Sequence, residues 1–149
     1  MSLQEFIALA RKTRGKYSYG SGGMGSSSHL GTEMMRLAGG FTLLHVPYKG
    51  TGPGMAAIMA GEIQILVVGL ATVLPHVRAK SDKLKGFAVT GAKRAVAALE
   101  IPTVAEVGLP GYAFDVWYGM VFPGATPGAV GQHLRGVRRP VAARNPGLA

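Results

Sequence analysis

Residues Gly20 to Leu30 read GSGGMGSSSHL. The stretch carries G-x-G-x-x-G at Gly20, Gly22 and Gly25, behind the strand-like Tyr17-Ser18-Tyr19 and ahead of a helix-like segment. A glycine turn between a strand and a helix is a joint at which α/β sheets hold anions. A dinucleotide site also needs an acidic residue about 20 positions on, to take the ribose hydroxyls. Counted from Gly25, that place falls near His45, and no Asp or Glu lies between Glu33 and Glu62. A phosphate loop fits G-x-x-x-x-G from Gly20 to Gly25, but Ser26 stands where lysine is required. Both nucleotide readings therefore fail. What survives is a run of small residues whose N–H groups can face outward. Three serines then open a helix, one of them as its N-cap. Such a loop suits a carboxylate as well as a phosphate. A serine-capped turn without a ligand stays open beside it.

Working outward, the elements alternate. Leu3, Phe6, Ile7 and Ala10 recur at helical spacing over 3–13. Lys16 to Tyr19 reads as a strand. Leu30, Met34, Leu37 and Ala38 form the apolar face of the next helix, which Gly39-Gly40 stops. Strands follow at Phe41–Val46 and Ile63–Val68, around a helix that Thr51-Gly52-Pro53 opens. Thr72–Ala79 reads as helix, Gly86–Thr90 as strand, Thr103–Val107 as a short helix and Val116–Phe122 as a further strand. Pro127 to Leu134 starts a last helix. This alternation predicts an α/β fold with a mainly parallel sheet flanked by helices.

The chain has 149 residues, 48% of them hydrophobic and 15% charged, which fits one globular domain. It has no cysteine, so disulfides, Cys-zinc sites and thiol catalysis are excluded. His29, His45, His76 and His133 show no metal-ligand spacing, and neither metal nor cofactor is expected. No long uncharged apolar run marks a membrane span. The net charge of +9 favours anionic partners. It gathers near Arg11–Lys16 and Arg135–Arg144, which reads as solvated surface; nucleic acid is not an expected partner.

Two further loops lie at carboxyl ends of strands, where open α/β sheets bind ligands. One is Tyr48-Lys49-Gly50-Thr51-Gly52-Pro53; the other is Gly69-Leu70-Ala71-Thr72. Lys49 can pair with an acid and Tyr48 can close over it; an exposed lysine and a packed tyrosine are the alternative. A hydrolase using Ser26 or Ser27 with His29 lacks a G-x-S-x-G elbow and an acid partner. His29 reads as a packing residue.

Six segments in order resemble the solute receptors of tripartite tricarboxylate transporters, the Bug family. They are YGSGGMGSSSHL, HVPYKGTGP, GLATVLPHVRA, LKGFAVTGAKR, IPTVAEVGLPGY and WYGMVFPGATP, spanning about Leu3 to Pro127. The resemblance implies one lobe of a type 2 periplasmic binding protein, without catalysis, holding a small carboxylated ligand for a membrane permease. It implies ligand contacts from Ser21, Gly22, Gly23, Met24, Gly25, Ser26 and Ser27. Tyr48, Lys49 and Gly50 would form the cleft wall, and Gly69, Leu70, Ala71 and Thr72 a third contact. Where the family commonly has an acidic residue after the third strand, this chain reads Val67-Val68-Gly69.

Family members are roughly twice as long, so the expectation is the second lobe alone. Residues 1–126 would form the ligand lobe, with a crossover strand near 114–122. Residues 127–149 would be a shortened C-terminal helix and basic tail, broken by Pro140 and Pro146. Half a clamp implies weak binding. Exposed apolar surface around Trp117 to Phe122 implies a homodimer. The resemblance places the chain in the periplasm, though no signal peptide is visible in it. A vestigial interaction protein without a transport role is the second reading.

Overall fold

Helix α1 (Leu3–Lys12) starts with a capping box: the Ser2 hydroxyl accepts from the Glu5 amide at 3.2 Å and the Glu5 carboxylate accepts from the Ser2 amide at 2.8 Å. Its Leu3, Phe6, Ile7 and Ala10 are buried, as their spacing predicts. Phe6 meets Tyr17 at 5.5 Å and Phe87 at 6.5 Å between ring centroids. Burying one such ring stabilises the fold by about 1.5–3 kcal/mol. These contacts come from a computed structural model that describes residues 2–79, 84–119 and 121–132.

Three parallel strands follow: β1 (Ser18–Ser21), β2 (Leu44–Pro47) and β3 (Ile65–Leu66), in the order β2-β1-β3. Ser18 to Ser21 pair with Leu44 to Pro47, and Tyr19 and Gly20 with Ile65 and Leu66. Helices α2 (Ser27–Gly39), α3 (Thr51–Ala60) and α4 (Leu70–Arg78) each follow one strand. The mixed α/β class and the parallel sheet stand as expected. Because the strands are parallel, the three glycine-containing loops leave the same edge of the sheet. Gly20 lets the central strand be covered closely, since a Cβ there would lie 2.5 Å from Ile63 Cδ1 and 3.2 Å from Tyr48 Cε2.

Several expectations about the elements are corrected. The ladders are shorter than the apolar runs, most of all at Ile65–Leu66. Phe41 buries its ring in the core rather than extending β2. Among the described residues, the strand at Gly86–Thr90 reduces to one bridge, Val89 with Thr103. Thr103–Val107 is a hydrogen-bonded turn, closed by Glu106, whose carboxylate accepts from the Thr103 amide at 2.6 Å. Val116–Phe122 forms no strand among the described residues.

The packed face of α2 is also corrected. Leu30, Met34 and Leu37 are 49%, 44% and 71% exposed, while Gly31, Thr32, Met35 and Gly39 are buried. The reason is close approach. Phe114 occupies the place a Gly31 side chain would take, 2.8 Å from its Cβ position, and Phe41 does the same at Gly39. The buried Tyr112 hydroxyl donates to the Gly31 carbonyl at 2.8 Å. Small residues admit aromatic rings that the leucine stripe would keep at a distance.

The chain divides into two compact units after Val116. Within the second, residues 128–132 are helical and Phe122 packs beside Gly131. The expected basic tail, with Arg135, Arg138, Arg139 and Arg144, lies outside the described residues.

Candidate anion site at the strand ends

Ser26 is the N-cap of α2, its hydroxyl accepting from the His29 amide at 3.3 Å. The same hydroxyl donates to the Gly23 carbonyl at 2.7 Å, which folds the loop back on itself. Left-handed φ values of +123° at Gly23 and +74° at Gly25 make that fold possible, a conformation glycine adopts without steric cost.

Side chains take up three of the loop amides. Gly22 N–H donates to Ser28 Oγ at 2.9 Å, Gly23 N–H to Ser21 Oγ at 3.1 Å, and Gly25 N–H to His29 Nδ1 at 3.2 Å. Ser26 N–H reaches the Gly23 carbonyl at 3.2 Å. Among the described residues, no acceptor meets the N–H groups of Met24, Ser27 and Ser28. Ser27 and Ser28 open a helix of 13 residues, where the helix dipole is positive. Met24, Gly25 and Ser27 are exposed there, and Gly22, Gly23 and Ser26 half-buried. Ser21 is fully buried, with its hydroxyl turned to His45 Nε2 at 2.7 Å.

The Tyr48 loop joins this one directly. Tyr48 N–H donates to the Ser21 carbonyl at 2.9 Å and Gly50 N–H to the Gly22 carbonyl at 3.3 Å. Lys49 is exposed beside them. The Tyr48 ring lies on the sheet side. It packs on Gly20 and Gly54, within 3.7 Å of the Cβ position at Gly54. Gly69, Ala71 and Thr72 are exposed at the start of α4, and Leu70 is half-buried. No hydrogen bond links these four to the first loop among the described residues.

Beneath the loop is an aromatic stack that the spacing of residues alone did not reveal. His45 lies 4.8 Å from Tyr19 and 4.4 Å from His29, centroid to centroid. The Tyr19 hydroxyl donates to Glu33 at 2.7 Å, and Glu33 pairs with Arg36 at 2.7 Å. The Arg36 guanidinium holds the Glu33 carboxyl below its usual range, helped by the Tyr19 bond and opposed by burial. Burial, then the Glu33 carboxylate, pushes the Tyr19 hydroxyl well up. Burial, then the neighbouring His29, pushes His45 down. Ser28 was also missed, because its role depends on a hydroxyl reaching back six residues. Among the described residues, the one short Ser–His side-chain contact joins Ser21 to His45, and it is no hydrolytic pair: Ser21 is sealed from solvent.

An open parallel sheet with glycine loops and a helix start at its carboxyl edge defines an α/β lobe of the kind that holds ligands at its strand ends. The sequence model of the tripartite tricarboxylate transporter family receptor matches residues 1–149, and the chain belongs to that family. A UPF0065 protein of Bordetella pertussis is 34% identical over 138 residues, 93% of this chain and 42% of that protein. The structure of R. palustris Rpa4515 with adipate has a TM-score of 0.83 at 32% identity, covering 89% of this chain and 44% of that one. MatC from Rhodopseudomonas palustris with bound malate gives 0.77 at 25% identity, covering 87% and 43%. The chain thus spans less than half the length of each of these three relatives. Among the described residues, no helix is long and apolar enough to cross a membrane.

Proposed function

We propose that the loop from Ser21 to Ser27 receives one carboxylate of a small dicarboxylate, in a periplasmic receptor serving a membrane permease. The observation that carries this is the set of amides at Met24, Ser27 and Ser28 that no acceptor among the described residues meets, at the start of a long helix. Adipate and malate, bound by two structural relatives, indicate the ligand class. In this reading Ser21, Gly22, Gly23, Gly25 and Ser26 shape the loop. Tyr48, Lys49 and Gly50 form the adjoining wall, with Lys49 as the nearby cation. Gly69, Leu70, Ala71 and Thr72 contribute a third edge. Residues 1–126 are the ligand lobe and 127–149 follow it. The chain binds and does not catalyse.

A carboxylate on this edge keeps one side in water. Charge-assisted hydrogen bonds are worth about 1.5–3 kcal/mol each before the cost of association. Affinity of this chain by itself is therefore on the order of millimolar. Calorimetry with adipate, malate and the uncharged adipamide tests it. Weak binding of both acids and none of the amide is expected; sub-micromolar binding, or binding of the amide, refutes it. The reading also includes a homodimer, with the exposed Leu30, Met34 and Leu37 and the apolar residues around Trp117 as the surfaces to cover. Light scattering that shows only monomer at high concentration removes that part.

A further inference from the structure

We infer that His29 is a positioning residue of this loop: its neutral Nδ1 holds the Gly25 N–H, and protonation of the ring releases it. The inference rests on the carboxylate reading above and adds to it a proton-sensitive hold on the site. Gly25 sits at φ +74° in an open place, with nothing within 4 Å of its Cβ position. Its N–H is held by His29 Nδ1 at 3.2 Å. An imidazolium carries N–H on both nitrogens, so Nδ1 would then oppose the Gly25 N–H instead of accepting from it.

The ring itself is held in place. His45 lies against it at 4.4 Å, and Tyr19 stands at 6.4 Å from the sheet side. His45 is fixed in turn by Ser21 at 2.7 Å. The Ser21 hydroxyl accepts from Gly23 N–H at 3.1 Å and donates to the Gly23 carbonyl at 3.2 Å. Its remaining lone pair takes His45 Nε2–H, an assignment that satisfies all three contacts. Among the described residues, the titratable and charged groups around His29 are His45 and Tyr19 from the sheet, and Glu33 from its own helix. Glu33 is already committed to Arg36 and Tyr19. Protonation of both rings would set two cations 4.4 Å apart, centroid to centroid. Ser26 still closes the turn on the Gly23 carbonyl through its N–H and its hydroxyl, so release of the Gly25 N–H loosens the Met24–Gly25 peptide inside that turn, beside the Met24 amide.

The test compares the wild-type chain with His29→Asn, whose Oδ1 stands near the place of Nδ1 but does not titrate, and with His29→Ala. Adipate affinity is measured from pH 7.5 to 5.5, with nitrogen-15 spectra of the Gly25 amide recorded without ligand. Wild-type affinity should fall about fivefold more than that of His29→Asn over this range, the titration of adipate being common to both. His29→Ala should be weak throughout. The Gly25 amide resonance should follow the His29 titration in the wild type and stay fixed in the Asn variant. Parallel pH profiles for wild type and His29→Asn overturn the inference, as does a Gly25 resonance indifferent to His29. A Gly25 resonance that tracks His29 in a chain that binds no adipate upholds the hold on the loop and refutes the carboxylate reading instead.

Discussion

Replacing Ser28 by alanine tests whether the loop is held by the side chains that fold back onto it. Ser28 Oγ accepts from Gly22 N–H at 2.9 Å and contacts Ser26 Oγ at 3.0 Å. Without it, a half-buried amide loses its acceptor. An orphaned buried donor costs about 1–3 kcal/mol, and partial access to water places this one near the lower half, about 1–2 kcal/mol. For a chain of this length that is a Tm lower by about 3–6 °C. The neighbour provides the control. Ser27 is exposed and its hydroxyl has no partner among the described residues, so Ser27→Ala should move Tm by less than about 1 °C. Adipate affinity should fall several-fold in Ser28→Ala, because Gly22 anchors the Gly50 amide through its carbonyl. Thermal unfolding by circular dichroism and calorimetry on both variants read this out. Equal Tm values for the two variants would refute the reasoning.

Gly25→Ala forces a left-handed conformation on a residue with a side chain, costing about 1–2 kcal/mol. Gly22→Ala meets only ordinary contacts, the nearest at 3.6 Å, and should be neutral within about 0.5 kcal/mol; urea unfolding separates the two. Tyr112→Phe removes the donor to the Gly31 carbonyl, a hydroxyl whose pKa burial pushes up to about 12, and should lower stability by about 1 kcal/mol in the same assay. Stability should also fall with acid. The unfolded chain protonates His45 more readily than the folded one, so its contribution is full above 6.5 and is lost as pH falls through the folded value below that. Glu33 repeats the pattern below 4.5. Tm measured against pH should drop through the first window in the wild type and less in His45→Gln.

The sequence made the fold legible where periodicity and burial coincide. Leu3, Phe6, Ile7 and Ala10 are the buried stripe of α1 because each is both apolar and correctly spaced. On α2 the same rule misled, since Leu30, Met34 and Leu37 have the spacing but Gly31 and Gly39 have the neighbours. Aromatic side chains from Phe41, Tyr112 and Phe114 choose the glycine side, and they come from segments outside the helix. Among the described residues the apolar run at Gly86–Thr90 forms a single bridge, Val89 with Thr103. At the site, elimination of a nucleotide needed only Ser26 and the missing acid. Which amides remain open depended on side chains folding back from Ser28 and His29, a matter of three-dimensional reach that no spacing rule contains.

Whether a carboxylate meets the amides of Met24, Ser27 and Ser28 is tested most directly by an amide nitrogen-15 titration of the chain with adipate, followed residue by residue at constant pH. These three resonances should move furthest and together, with one dissociation constant on the order of millimolar. Shifts centred elsewhere, or none at adipate concentrations well above that value, would contradict it.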